Sequence, residues 1–116
     1  MILRSNSGST LAYVEHDEVR DSSRSTLCEF SSDRVFDDSG RTLGSIEAGS
    51  VRDSSGSTLA RYDDTAVMSS SGSTKFRFGG SSILDSSGST LFRLDGDPTD
   101  LLEPIVAWLV FFSEEW

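Results

Sequence analysis

The sequence contains few of the residues from which covalent frameworks and catalytic centres are built, with one cysteine and one histidine among 116 residues. The single Cys28 excludes a disulfide framework within the chain and is interpreted as a small packed residue. The lone His16 lies in a predicted turn with Glu15 and Asp17, without the suitably spaced partners that a metal site or general base needs. Serine recurs throughout, so no Ser–His–Asp arrangement can be argued. We therefore expect no enzyme, no cofactor and no metal.

Positive charge and long hydrophobic runs are also scarce. The net charge is −9 and the isoelectric point about 4.4, which disfavours nucleic acid and anionic membranes, since both are bound through a basic face. The longest hydrophobic run, residues 105–112, is far shorter than the ~20 residues of a transmembrane helix. The repeats described below begin at residue 3 and leave no room for a signal peptide, so we expect a cytoplasmic protein.

The acidic pairs of the chain do not match known calcium motifs. Asp63 and Asp64 are adjacent, and Asp95 and Asp97 flank Gly96. Neither segment belongs to the glycine-rich calcium-binding repeat or to an EF-hand loop. We interpret these acids as ordinary turn residues.

What the chain does contain is one 16-residue phrase written six times without a gap. An exact short period indicates a repeat architecture in which no copy buries its apolar side alone. Position 1 is always aliphatic, position 5 always Ser, position 8 always Thr, and position 9 is Leu in five copies. Positions 1, 9 and 12 form three apolar columns that we assign to a shared interior. The copies begin at Leu3, Val19, Val35, Val51, Val67 and Ile83.

Each copy carries its own turn. The Asp-Ser-Ser-Gly segment, as in residues 53–56, favours a type I turn followed by a left-handed residue: Asp accepts hydrogen bonds from nearby amides, and Gly adopts positive φ without a Cβ clash. A second break falls at positions 13 to 15. The short stretches between the breaks are rich in Thr, aromatic and β-branched residues, which predicts strands. No helical period occurs in residues 3–98.

Two all-β architectures fit two strands and two turns per copy. We favour a β-solenoid of six 16-residue coils, because stacked coils place like residues side by side and account for the Ser and Thr columns. The alternative is an antiparallel β-hairpin meander, which would leave the apolar columns half wet unless two chains packed face to face. The solenoid also stacks like charges such as Asp37 and Asp53, which we expect each Asp to relieve by capping its own turn.

The composition changes after Pro98, which divides the chain into a six-repeat β domain (1–98) and a C-terminal hydrophobic segment (99–116). Thr99 or Asp100 is a suitable N-cap, and Pro104 is tolerated in a first helical turn. A short helix to about Phe112 is therefore expected to cap the last coil, whose edge and core would otherwise be exposed. Its aromatic surplus also predicts an oligomer contact. The predicted cap and oligomer residues are Trp108, Leu109, Phe111, Phe112 and Trp116.

Residues 51–59 (VRDSSGSTL) and 83–91 (ILDSSGSTL) resemble small bacterial repeat proteins built on S-S-G-x-T-[LI]-x-x-[IV]-D-G, which often end in an aromatic-rich tail. Residues 37–41 (DDSGR) are more loosely similar to YD-type repeats of large bacterial toxins. The resemblance implies a β-repeat fold and a bacterial protein. It carries no established activity, so it assigns no functional residue.

The sequence thus predicts a non-enzymatic structural protein that associates with itself, as a homodimer or end to end. End-to-end association is expected because only Met1 and Ile2 precede the first coil, which leaves it uncapped. The alternative is a ligand-binding module that uses its Ser/Thr ladders to bind ice or glycan. The sequence itself does not identify a ligand.

Overall fold

The computed structural model describes residues 1–31, 33–113 and 116. Within these residues, twelve short strands are followed by a turn of 3₁₀ helix (Pro98–Leu101) and one α-helix, α1 (Leu102–Phe111). The strands are β1 (Ile2–Ser5), β2 (Thr10–Val14), β3 (Glu18–Asp21), β4 (Thr26–Ser31), β5 (Arg34–Asp37), β6 (Thr42–Glu47), β7 (Ser50–Asp53), β8 (Thr58–Tyr62), β9 (Ala66–Ser69), β10 (Thr74–Gly79), β11 (Ser82–Asp85) and β12 (Thr90–Leu94).

The strands form a closed antiparallel barrel. Each copy of the phrase is one hairpin, consecutive hairpins pair edge to edge, and β1 pairs with β12 through Leu3 opposite Leu94. The predicted β-solenoid is therefore wrong. The strands follow the antiparallel meander that was the alternative, but closed into a ring. Because β1 is paired on both sides, the uncapped N-terminal coil from which end-to-end association was predicted does not exist.

The hairpin turns explain why the chain reverses within each copy instead of coiling onward. In the fourth copy, Oδ1 of Asp53 accepts hydrogen bonds from the amides of Ser55 (2.9 Å) and Ser57 (3.0 Å). The amide of Gly56 donates to the carbonyl of Asp53 at 3.1 Å, and Gly56 has φ +93°. This is the predicted type I turn with a left-handed residue, and such a turn joins two antiparallel strands. The local turn prediction is confirmed.

Every hairpin also contains a β-bulge at the ninth position. In the fourth copy, Val51 lies opposite Ala60 and Arg52 opposite Thr58, so Leu59 is the extra residue. The same shift occurs in the other five hairpins. A bulge bends its strand and increases the local twist, so six equivalent bulges curve the sheet toward closure. The ninth column is half-buried rather than part of the fully buried interior that was predicted.

The barrel interior is lined by the first and tenth columns of the repeat. All six residues of the first column are fully buried, and each lies opposite a tenth-column residue in its own hairpin. The twelfth column is buried less uniformly than these two: its residues Phe30 and Phe78 are only half-buried. The buried tenth-column residues are Ala12, Cys28, Gly44, Ala60, Phe76 and Phe92.

Helix α1 occupies the lumen of the barrel. Six consecutive residues, from Ile105 to Val110, are buried, so the helix is covered on every side, as expected for a helix that is hydrophobic all round. It lies closest to β3, β6 and β8, which belong to different parts of the ring. The prediction that it caps an open coil is wrong. The interior of the ring has no core of its own, and the helix supplies it.

The width of the ring accounts for this arrangement. Twelve strands spaced by about 4.8 Å give a circumference of roughly 58 Å and a width of roughly 18 Å before strand tilt is included. An eight-stranded barrel is just narrow enough for strand side chains to fill it, and a helix with its side chains is about 10–12 Å across. The small residues Ala12, Cys28, Gly44 and Ala60 therefore leave space that the helix fills.

The helix enters the lumen at one end of the barrel and leaves at the other. The side chain of Asp97 accepts a hydrogen bond of 2.9 Å from the Thr99 amide and caps the 3₁₀ turn. This turn precedes the regular helix, which begins at Leu102. Asp97 is therefore the N-cap of the 3₁₀ turn, whereas the N-cap position of α1 is Leu101, without a side-chain capping hydrogen bond, so the predicted N-cap at Thr99 or Asp100 is wrong. We call the end formed by the turns between hairpins the entry mouth, and the end formed by the Asp-Ser-Ser-Gly-type turns the exit mouth.

Candidate functional site

The lumen is apolar and filled. Among the described residues, no buried side chain is charged, and no buried side-chain nitrogen or oxygen lacks a hydrogen-bond partner. Phe92 packs edge-on against Trp108 with ring centroids 5.2 Å apart. Three hollows open to solvent at the entry mouth and on the outer wall. The surface is consequently where the described part of the chain presents polar chemistry.

One polar contact fixes the helix at the entry mouth. The hydroxyl of Tyr62 donates a hydrogen bond of 3.0 Å to Oε2 of Glu103, in the first turn of α1. Burial, followed by the adjacent Glu103 carboxylate, raises the pKa of Tyr62 well above its usual value, so the hydroxyl stays a donor. Beside this pair lies an open hollow of about 160 Å³ lined by His16, Phe30 and Asp33, among others. The contact positions α1 in the ring and presents the Glu103 carboxylate to solvent.

The entry mouth is strongly acidic. Its turns and the segment that leads into α1 carry ten carboxylates, and no Lys or Arg lies in positions 13 to 15 of any copy or in residues 98–113. Two of the ten, Asp63 and Asp97, use one oxygen to hold their own turns. The ten residues are Glu15, Asp17, Asp33, Glu47, Asp63, Asp64, Asp95, Asp97, Asp100 and Glu103.

A tighter acidic group lies at one side of this mouth. Carboxylate oxygens of Glu15, Asp17 and Glu18 lie within 4.8 Å of one another. Arg20 pairs with Glu18 and approaches Glu15 to 4.0 Å, so the chain supplies its own counter-charge. The exposed His16 lies in the same turn. Because Arg20 already compensates the group, the arrangement is that of a charged turn.

The exit mouth is partly apolar. Column nine, which follows the hairpin turns, is half-buried and packs against the core together with Phe111, Phe112 and Trp116. The ammonium of Lys75, the ninth residue of the fifth copy, lies 5.5 Å from the ring centroid of Trp116, which places the Trp116 ring against this column. Trp116 also stacks on Phe76, with centroids 6.1 Å apart.

The five predicted cap and oligomer residues therefore occupy two environments. Trp108 and Leu109 are buried inside the barrel, where they form part of its core. Phe111, Phe112 and Trp116 lie at the exit mouth and remain half-buried. These last three are the members of the set that another molecule can reach.

The outer wall carries a basic sector. Five arginines, all at positions 2 or 11 of the repeat, lie on seven adjacent strands, β7 to β12 and β1. The acids of these strands are Asp53 and Asp85, and both accept hydrogen bonds from their own turns. Among the described residues, no ion pair involves any of the five. This arginine wall consists of Arg4, Arg52, Arg61, Arg77 and Arg93.

The serine hydroxyls are committed to local structure. In each of four copies, the position-5 hydroxyl donates to the Asp of its own turn, as Ser55 does to Asp53 at 2.7 Å. In the copies with Ser in place of Asp, Ser5 and Ser69 bond to Ser7 and Ser71. The repeats stand side by side around a ring, so these hydroxyls do not form the stacked ladders expected of a solenoid.

The arginine wall was not predicted as a functional feature. The signal was present in the repeat, because position 11 is Arg in three successive copies as Arg61, Arg77 and Arg93. A solenoid would place these residues in a stack beside the Asp column. In the ring they lie on alternate strands, β8, β10 and β12, within one third of the circumference.

The described part of the chain contains no helix long and apolar enough to cross a membrane. The fold defines a class: a non-solenoid β-repeat protein whose antiparallel ring closes around its own C-terminal helix. The chain belongs to the family described as 5-fold beta-flower protein, whose model matches residues 2–113. The prediction of a short-repeat β protein is confirmed, although this ring has six hairpins where the family description counts five. No curated protein and no solved structure shows a significant match to the chain.

Proposed function

We propose that the protein is a non-enzymatic structural protein that associates with its own copies through the exit mouth. The observation that carries this proposal is the position of Phe111, Phe112 and Trp116, half-buried at an open end of the barrel beside the half-buried ninth column. Aromatic residues held at a protein surface are typical of interface centres. Two exit mouths facing each other would bury these side chains in a twofold contact.

The non-enzymatic part of the proposal is supported by the lumen. An active site commonly combines a concave pocket with converging polar groups and perturbed titratable residues. Here α1 fills the barrel, and the two hollows at the entry mouth are open rather than enclosed. Recognition is then left to the outer surfaces.

The test is the molar mass of the purified protein over a wide concentration range, measured by light scattering and sedimentation. We expect wild type to form a dimer and Phe112→Glu to remain a monomer, because the new carboxylate would have to be buried in the contact. Phe36→Glu is the matched control, since Phe36 is a half-buried phenylalanine on the outer wall. It should dimerise like wild type.

Circular dichroism and thermal unfolding establish that both variants keep the fold. A wild-type chain that stays strictly monomeric at the highest concentration overturns the proposal. So does a dimer that Phe112→Glu leaves intact while Phe36→Glu dissociates it.

A further inference from the structure

The distribution of charge around the barrel is more uneven than the net charge of −9 suggests. The arginine wall extends over half of the twelve-stranded ring, with Arg61, Arg77 and Arg93 together on β8, β10 and β12, whereas the entry mouth presents ten carboxylates. These two surfaces belong to different faces of a molecule that measures 34 × 33 × 23 Å. A protein with such separated charges carries an anionic face and a cationic face that match each other.

The arginine wall holds like charges close together. Arg4 and Arg93 lie directly opposite each other in the β1–β12 pair, and like charges at opposed positions destabilise a sheet. Arg61, Arg77 and Arg93 occupy alternate strands, about 9.6 Å apart at the usual strand spacing. An anionic surface that covers this wall would remove the repulsion.

The chemistry of the wall fits a protein surface as its partner. All five cations are arginine, whose planar guanidinium pairs with carboxylates through two parallel hydrogen bonds. Half-buried apolar side chains alternate with them, because Met68 lies opposite Arg61 and Leu84 opposite Arg77. Arg and Met are enriched in protein–protein interfaces, whereas the overall negative charge of the chain opposes nucleic acid and anionic lipid.

The entry mouth has the complementary composition. Beside its carboxylates lies an open hollow of about 660 Å³ lined by apolar Met1, Val14 and Leu101, by His16 and by the acids Glu15, Asp17 and Glu18, of which only Asp17 is not paired with Arg20. Arginine side chains have apolar stems and charged heads, so they match a hollow that is apolar inside and acidic at its edge.

We propose that the part of the arginine wall formed by Arg61, Arg77 and Arg93 in one copy binds the entry mouth of a second copy. The contact joins different surfaces of the two molecules, so it continues from copy to copy as a chain or a ring. This contact rests on the proposed function only in that copies of the chain associate. It involves neither Phe112 nor the exit mouth. Exit-mouth dimers would then be linked further by salt-sensitive contacts.

The experiment exchanges the charges of the two surfaces. The wall variant is Arg61→Glu with Arg77→Glu. The mouth variant is Glu47→Lys with Asp64→Lys, whose side chains make no hydrogen bond among the described residues and lie in adjacent turns. Phe36→Glu, at repeat position 2 on β5 outside the arginine wall, is the control for a carboxylate introduced on the outer wall.

We expect assemblies larger than the dimer in about 0.01 M salt, where charges act over roughly 30 Å, and their loss in about 1 M salt, where they act over roughly 3 Å. Each charge-reversed variant alone should associate roughly a hundredfold or more weakly in low salt, because like charges then face each other. Mixing the two variants should restore association, because the unchanged wall of the mouth variant meets the unchanged mouth of the wall variant, and the two reversed surfaces also match. Phe36→Glu should behave like wild type.

The outcomes separate this inference from the proposed function. A dimer that persists in high salt and in both charge-reversed variants, with no larger assembly in low salt, overturns the inference and leaves the exit-mouth proposal intact. Mixed variants that fail to associate although each is folded also overturn it. Binding of a DNA duplex or of anionic vesicles that the wall variant loses would show that the occupant is not a second copy.

Discussion

Trp108 and Phe92 meet edge to face inside the barrel, with their ring planes at 88° to each other. Trp108 belongs to α1 and Phe92 to β12, so the contact packs the helix in the lumen against the surrounding strands. Large tenth-column residues occur only at Phe76 and Phe92, whereas the other four copies have small ones. The size of the tenth-column residue therefore varies with the space that α1 leaves at each position of the barrel lining.

Removing the Trp108 ring should destabilise the whole barrel. Trp108→Ala leaves a cavity in a closed lumen, and substitutions of this kind cost about 3–5 kcal/mol. Chemical denaturation followed by circular dichroism measures the loss. Trp108→Phe, which keeps an aromatic ring beside Phe92, should cost clearly less. Equal losses for both variants would contradict the packing described here.

Gly44 should not tolerate even a methyl group. A Cβ at Gly44 would lie 2.0 Å from the carbonyl oxygen of Arg52 and 3.0 Å from Cζ of Phe111. We expect Gly44→Ala to destabilise the protein by about 1–3 kcal/mol, as overpacking does. At a position with room for a methyl group, Gly→Ala stabilises a protein by about 0.4–1 kcal/mol. The sign of the change in unfolding free energy therefore shows whether Gly44 has room for a Cβ.

A second variant identifies which of these contacts is responsible. Phe111→Leu removes the aromatic Cζ but leaves the backbone oxygen in place. Adding it to Gly44→Ala should therefore restore little stability, and full recovery would assign the clash to Phe111 alone.

The thiol of Cys28 should be inert in the folded protein. Cys28 is fully buried opposite Val19, and burial raises the pKa of its thiol from 9.0 to about 12. Since the thiolate is the reactive form, a thiol reagent should label the chain only after denaturation. Cys28→Ala with Ser22→Cys, which moves the single thiol to an exposed turn, should react at once without denaturant.

The turns make stability fall in acid. The Ser55 hydroxyl and then the Ser57 amide lower the pKa of Asp53 below its usual 3.8, and five other turn aspartates are lowered in the same way. A carboxyl with a lower pKa in the folded than in the unfolded state stabilises the fold above the unfolded pKa and loses that effect as pH falls through the folded pKa. The five others are Asp21, Asp37, Asp63, Asp85 and Asp97.

Denaturation midpoints should therefore be nearly constant from neutral pH downward and then decline below about pH 3.8. Asp53→Ser reproduces the turn that the chain already uses at Ser5 and Ser69. This variant should show a shallower decline than wild type. A midpoint that rises on acidification would contradict the assigned role of these carboxylates.

Local features of the fold could be predicted from the sequence, because short-range chemistry determines them. The turn around Gly56, the capping role of Asp53 and the packed Cys28 needed only the residues beside them. The hydrophobic run that ends in Phe112 predicted a short helix near its observed place. For the same reason, the strands were expected between the correct breaks.

The direction of the sheet and the place of the helix depended on distant residues. Leu3 pairs with Leu94 only if six bulged hairpins curve far enough to close, and no single copy contains that information. A meander leaves its apolar columns half wet only when α1, which fills the ring, is placed at an end of the repeats. The small Ala12, Cys28 and Gly44 at position 10, against Phe76 and Phe92 in the last two copies, were the clue to an internal helix.

The closed ring around α1 also sets how many repeats this architecture can hold. Adding or removing one hairpin changes the circumference by about 9.6 Å and the radius by roughly 1.5 Å. A gap of even 1 Å forfeits a large part of the dispersion energy of the atoms that line it. Duplication of one hairpin, a simple change in a gene with tandem repeats, would therefore leave gaps around α1 unless larger side chains arose in the lumen at the same time. The number of repeats and the size of the side chains on α1 must then evolve together.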